Sequence, residues 1–287
     1  MTGRTVPVQG APHPHPLPTE GRGGALPRPS APVASDNGVP DDSGAALTRA
    51  TLEARLRQVG TDRYHDKHPF HHRLHGGQCT MDEVQAWVVN RWYYQSRIPM
   101  KDAAFLSRCT DPDLRRIWRS RIDDHDGGVE EGGGIRRWLK LAEGVGLDPA
   151  YVASGHGVMP ATRFAVDAYV RFVRDEPLVA AMASSLTEMF APAIHTRRIE
   201  GLLEHYAFAN PETIAYFRHR LGEAPKDVAF TLNWVLDHAV TRADQEAAIA
   251  ALTFKTEVLW AQLDALWHGY VEGHIPPGAW RPGEGRL

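Results

Sequence analysis

The run Asn90 to Lys101, NRWYYQSRIPMK, crowds a cation, an amide and two phenols into a stretch that otherwise reads as buried helix, with Arg91 and Gln95 four residues apart and Pro99 expected to stop the helix before Lys101. Burying such groups without partners is costly, and side chains four apart share one helix face. An anionic, ring-shaped ligand is the partner they suit. The same spacing recurs in Arg121 with His125, His195 with Arg198, and Tyr216 with Arg220. One such pair is commonplace on a surface helix, but several predict helices that aim polar groups at a shared interior site.

Other constellations carry a chemical and a plainer reading. YHDKHPFHHRLH supplies His65, His68, His71, His72 and His75; Pro69 interrupts any helix across it and no carboxylate completes a metal set, so no metal site is expected. Tyr64 and His65 instead suit the mouth of a pocket. In DDHDG, His125 ends a helix, where the dipole and flanking acids favour its protonated form; with Arg121 one turn earlier, it is a candidate to accept or donate a proton. Glu188 lies in the apolar run ASSLTEMFAP and needs a cation, whether in a pocket or as a tie between helices. Lys255, among Leu259, Trp260 and Leu263, is either a carboxylate clamp or a stem covering apolar surface. Ser184 and Ser185 lack the GxSxG turn of an activated nucleophile. The glycines from Gly127 to Gly134 follow a helix rather than a strand, so they are no nucleotide fingerprint, and they read as a hinge or lid.

Positioning these groups falls to helices. No period-two runs bounded by hairpin turns occur, and the fold class is all-α, a compact bundle of about seven helices. Thr80 with Glu83 forms a capping box, Asp111 with Pro112 opens the helix to His125, and Pro160 and Pro177 open two more. The second is expected to reach Phe190, where Pro192 breaks and restarts it. Pro211 is expected to open the helix carrying Tyr216 and Arg220, Pro225 the next, and Asp244 caps a final helix to about Gly269.

Residues 1–45, rich in Pro, Gly, Ser and His, are expected to be disordered; residues 46–273 form the helical domain and 274–287 a Pro/Gly-rich tail or linker. A net charge of −3 excludes a general nucleic-acid binder. Two cysteines, Cys79 and Cys109, give no disulfide framework, and no apolar run approaches a membrane span or signal peptide; a cytoplasmic protein is expected. Apolar helix faces favour a homodimer.

Seven strings in order, RYHDKHPFHHRLHGG, NRWYYQSRIPMKDAA, RIDDHDG, GGIRRWLKLAEGVGL, RFAVDAY, SSLTEMFAP and FKTEVLWAQLDA, closely resemble the pyrroloquinoline-quinone (PQQ) synthases, a thiaminase-related family, from residue 47 to 272. The resemblance implies a haem-oxygenase-like fold and a homodimer, with room for partner proteins of the same pathway. It further implies an oxidoreductase for the last step of PQQ formation: ring closure and overall eight-electron oxidation of the precursor AHQQ by O2, releasing H2O2, with no metal and no organic cofactor. By residue, it implies catalytic roles for His125, His195, Tyr216 and Arg220. Substrate binding would fall to Tyr64, His65, Arg91, Gln95, Lys101, Arg121, Tyr169, Glu188, Arg198 and Lys255. Two departures from the family pattern are Val129 in the glycine loop, where some relatives carry a polar residue or His, and the long N-terminal tail. Some relatives also fuse a small carrier-binding domain after the bundle, and RPGEGRL resembles the linker before it. Competing readings on the same fold are a di-metal oxidase with carboxylate and His ligands, a hydrolase with a Cys nucleophile, and a non-catalytic PQQ carrier.

Overall fold

Caps and prolines place the helices largely where the sequence puts them. The structure, a computed structural model, describes residues 44–128 and 132–287, without the side chains of 223–227. Val129 and nearly all of the expected N-terminal tail lie outside the described residues. Helix α1 (Arg49–Arg63) starts at the N-cap Thr48 and leads through a 3₁₀ turn (His65–Lys67) into α2 (Pro69–His75). The Thr80–Glu83 capping box opens α3 (Met81–Leu106), and Asp111 with Pro112 opens α4 (Pro112–Asp126). Next come α5 (Gly134–Gly144), α6 (Pro149–Ala153), α7 (Pro160–Asp175) and α8 (Leu178–Ser184). A second 3₁₀ turn (Ser185–Phe190) precedes α9 (Ala191–His205), α10 (Ala215–His238) and α11 (Arg242–Leu266). No strand occurs among the described residues.

The all-α class is as expected, but "about seven" is a loose count: among the described residues, eight helices of 11 residues or more are joined by three short ones. Two prolines do not act as expected. Helix α3 runs straight through buried Pro99, and α10 runs through Pro225. An interior proline costs about 3 kcal/mol, and both helices outweigh it by packing, α3 against α4 and α7, α10 against α9. The helix from Pro177 tightens into a 3₁₀ turn at Ser185, ahead of Pro192. Thr241 rather than Asp244 is the cap of α11, with Asp244 as its capping-box partner.

The C-terminal segment 274–287 is docked rather than trailing. Trp280 is fully buried, its backbone N–H donates to the Gly157 carbonyl at 2.8 Å, and the Asp148 N–H donates to the Gly285 carbonyl at 2.8 Å. Gly157, at φ +75°, permits this approach, since a Cβ there would sit 2.8 Å from that of Trp280.

Candidate active site

The site forms where the helices are interrupted. The two 3₁₀ turns bring in Tyr64, His65, Thr187 and Glu188; the middle of α3 adds Arg91, Tyr94 and Gln95; the end of α4 adds His125; the starts of α9 and α10 add His195, Arg198, Tyr216 and Arg220. They line a cavity of about 40 Å3. That is room for a few water molecules, so a flat polycyclic ligand enters only as the lining side chains move apart. Ten of the fourteen candidates therefore share one lining, and Lys101, Arg121, Tyr169 and Lys255 stand one layer behind it.

Charge in this layer is unbalanced. Arg220 donates to Asp124 at 2.9 Å and to Glu188 at 2.8 Å. Arg121 lies 3.9 Å from Glu188 and 3.8 Å from Asp102, and Lys101 Nζ is bound to Asp102 at 2.5 Å. Those three acids serve Lys101, Arg121 and Arg220. Arg91, Arg198 and Lys255 make no ion pair among the described residues: Arg91 lies 4.0 Å over the Tyr94 ring, Arg198 donates to His71 Nε2 at 3.1 Å, and Lys255 Nζ donates to the Tyr94 hydroxyl at 2.8 Å. Lys255 also sits 3.4 Å above the Tyr169 ring, a cation–π seat. Six basic side chains thus face three carboxylates.

Burial and these cations set the protonation states. Burial, with Arg91 and Lys101 nearby, pushes the Lys255 ammonium well below its ordinary range. Burial, reinforced by Arg91, lowers Arg198 to about 9. Burial alone would raise the Glu188 carboxyl, but Arg220 and Arg121 hold it well below the usual carboxylate range. His65 and His195 are pushed well down by burial and then by Arg91 and Arg198, respectively. Burial raises the Tyr64, Tyr94 and Tyr216 phenols, so they remain neutral hydroxyls.

His125 departs from the expectation of a favoured imidazolium. It is 4% exposed, and burial followed by Arg220 lowers it to about 4, outweighing the helix dipole and Asp124. Its Nδ1 donates to the Arg121 carbonyl at 3.1 Å, which leaves Nε2 as a proton acceptor. Tyr216 donates to Gln95 Oε1 at 2.8 Å. His195 Nδ1 is buried and has no hydrogen-bond partner among the described residues.

Sequence reasoning missed the acids that anchor the cations. Asp102 is wholly buried and also accepts from Trp118 Nε1 at 2.9 Å; its signal was an acid beside Lys101 on an apolar helix. Asp124, hydrogen-bonded to His219 as well as Arg220, was masked by the surrounding run of acids. Among the described residues, three ligand-type side chains converge at His268, Glu272 and His274, all exposed and outside the cavity lining. Cys79 and Cys109 are buried and free, and burial pushes the Cys79 thiol up to about 12, the opposite of an activated nucleophile.

The model of the TENA/THI-4/PQQC family matches residues 53–265. The chain belongs to that family. Within it, a pyrroloquinoline-quinone synthase of Ruegeria pomeroyi is 71% identical over 239 residues, 83% of this chain and 99% of its own. Another from Rhizobium rhizogenes is 72% identical over 241 residues, 84% of this chain and 98% of its own. Solved structures share the fold. A TenA homologue of Pseudomonas syringae superposes with a TM-score of 0.64 at 11% identity, covering 80% of this chain and 96% of its own. A haem-oxygenase-like domain of unknown function from Shewanella denitrificans gives 0.64 at 13%, covering 81% and 96%. The resemblance carried by the seven strings and the haem-oxygenase-like class are both borne out.

Proposed function

We propose that this chain completes PQQ formation, closing the ring of AHQQ and oxidising it by eight electrons to PQQ, with O2 as acceptor, H2O2 as co-product and no metal or organic cofactor. The coarser part, an oxidoreductase with a role in PQQ biosynthesis, follows from relatives above 70% identity matched over nearly their whole length. The finer part rests on one observation: three basic groups at the site, Arg91, Arg198 and Lys255, have no carboxylate partner among the described residues. Substrate and product are flat, polycarboxylated rings, which guanidinium and ammonium groups match. The remaining partners we propose are a second copy of this chain and other pathway proteins in the cytoplasm; no helix among the described residues is long and apolar enough to cross a membrane.

In the mechanism, Arg91, Arg121, Arg198 and Lys255 fix the carboxylates so that the substrate amine meets the quinone carbonyl. The neutral His125, with Nε2 open, takes a proton from the closing ring, and His195 serves as a second acceptor. The electron-rich quinol so formed reduces O2 directly, each O2 taking two electrons and two protons to leave as H2O2. His125, Tyr216 and Arg220 form the niche for the reduced oxygen species. If the Gln95 amide rotates so that it donates to Tyr216, the phenol's own proton turns toward oxygen. Removing one such preorganised donor typically slows a reaction about 100-fold.

The test is to mix chelator-treated protein with AHQQ in air and follow the quinone spectrum alongside peroxide. PQQ with peroxide supports a cofactorless oxidase. Product only after iron or manganese is added moves the assignment to the di-metal reading, and binding without conversion moves it to the carrier.

A further inference from the structure

Arg198 is 5% exposed, and its polar contact is a histidine rather than an acid: its Nη2 lies 3.1 Å from Nε2 of His71, itself 2% exposed on α2. A guanidinium can only donate, so His71 Nε2 must accept. The proton of a neutral His71 is then on Nδ1, and a carbonyl is placed to receive it: Nδ1 lies 3.0 Å from the oxygen of His65. The two contacts are mutually consistent with one tautomer only. Burial, with Arg198 next to it, holds His71 well below the ordinary histidine range, so it stays neutral near pH 7.

The helix packing that creates this contact is tight. Gly201, one turn beyond Arg198 on α9, lies against the end of α2, and a Cβ there would sit 2.2 Å from the carbonyl oxygen of His75. His75 stacks on His71 with ring centroids 5.3 Å apart, which fixes the plane of the imidazole. The guanidinium carbon also lies 5.4 and 5.3 Å from the ring centroids of Trp87 and Phe217. Arg198 is held from several directions, yet none of these contacts neutralises it.

We infer that His71 is a positioning residue for the reaction: as a neutral acceptor it fixes Arg198 toward the cavity while leaving its positive charge available for a carboxylate of the ligand. An acid in the same place would hold the arginine equally well and cancel the charge. This inference rests on the proposed reading of the cavity as a polycarboxylate site, and PQQ itself is the probe.

The experiment measures PQQ affinity and steady-state kinetics for His71→Phe, His71→Gln and His71→Glu, beside Arg198→Ala. Phenylalanine keeps the ring without the acceptor, and PQQ binding is expected to weaken about tenfold with KM rising more than kcat falls. Glutamine restores an acceptor and is expected to recover most of that loss. Glutamate restores the hydrogen bond but neutralises the guanidinium, and should bind PQQ as weakly as phenylalanine does. Phenylalanine and glutamine variants with equal affinities would overturn the inference. If Arg198→Ala itself leaves PQQ binding unchanged, the reading of the cavity fails first, whatever the His71 variants show. Should the variants not fold, 15N resonances of His71 in the unaltered protein decide: a neutral ring protonated at Nδ1 at pH 7 is required, and a proton on Nε2 would contradict it.

Discussion

Replacing Tyr216 by Phe isolates the oxygen-reducing half of the proposed reaction. The hydroxyl donates to Gln95 Oε1 at 2.8 Å, while the ring is held edge-on by Trp138 at 5.2 Å. Removing the oxygen therefore leaves the ring packing intact and forfeits a neutral hydrogen bond plus one buried acceptor, about 1–3 kcal/mol of stability. That is small enough for the variant to remain folded. Arg220 is the poorer probe, because it bridges Asp124 and Glu188, and truncating it strands two part-buried acids at up to about 3 kcal/mol. Since Tyr216 contributes no charge to the ligand's carboxylates, PQQ affinity should change less than about threefold, whereas oxidation of the quinol should slow about 100-fold, the usual effect of deleting one preorganised donor. Rapid mixing of the variant with AHQQ in aerated buffer, followed by absorbance, should show a reduced quinol that accumulates before PQQ appears. Oxidation at the unaltered rate would refute the role assigned to the phenol.

Asp102→Ala leaves Lys101 and Arg121 without their buried acid and should destabilise the fold by about 3–5 kcal/mol, read as a lowered Tm, while Asp102→Asn should cost less. Ligand carboxylates should raise the depressed Lys255, His65 and His195, so PQQ binding takes up protons and weakens as pH rises; calorimetry in buffers of different ionisation enthalpy measures the uptake, and proton release would contradict the site's electrostatics. His125 titrates at about 4 when folded and near 6.5 when unfolded, so the unfolded chain binds the extra proton as pH falls between those values. Stability should drop by about 2 kcal/mol from this residue alone between pH 7 and pH 5, and His125→Gln should flatten that slope in urea titrations.

The helices and their order were legible because caps and periodicity are local. Thr80 with Glu83, Asp111 with Pro112, and Pro160 each fix a start through groups within one turn. Pro99 and Pro225 misled for the complementary reason: whether a proline ends a helix depends on the packing on its flanks, which is tertiary. Trp280 likewise lies in a segment whose glycines and prolines suggest a tail, and only the fold supplies the surface that buries it. At the site, paired spacings such as Tyr216 with Arg220 were readable, and the cavity brings them together. The anchoring acids Asp102 and Asp124 were not, because an acid beside a basic residue looks the same in sequence whether solvated or buried. The protonation of His125 was misjudged on the same ground, since its depth outweighs the helix end that the sequence reveals.

The central claim is that cations without acids of their own receive the carboxylates of a flat ring. A crystal structure of the protein with PQQ tests it most directly. The account predicts PQQ in this cavity, with carboxylate oxygens about 3 Å from Arg91, Arg198 and Lys255. PQQ bound outside the cavity, or within it with no carboxylate oxygen near those three groups, would contradict it.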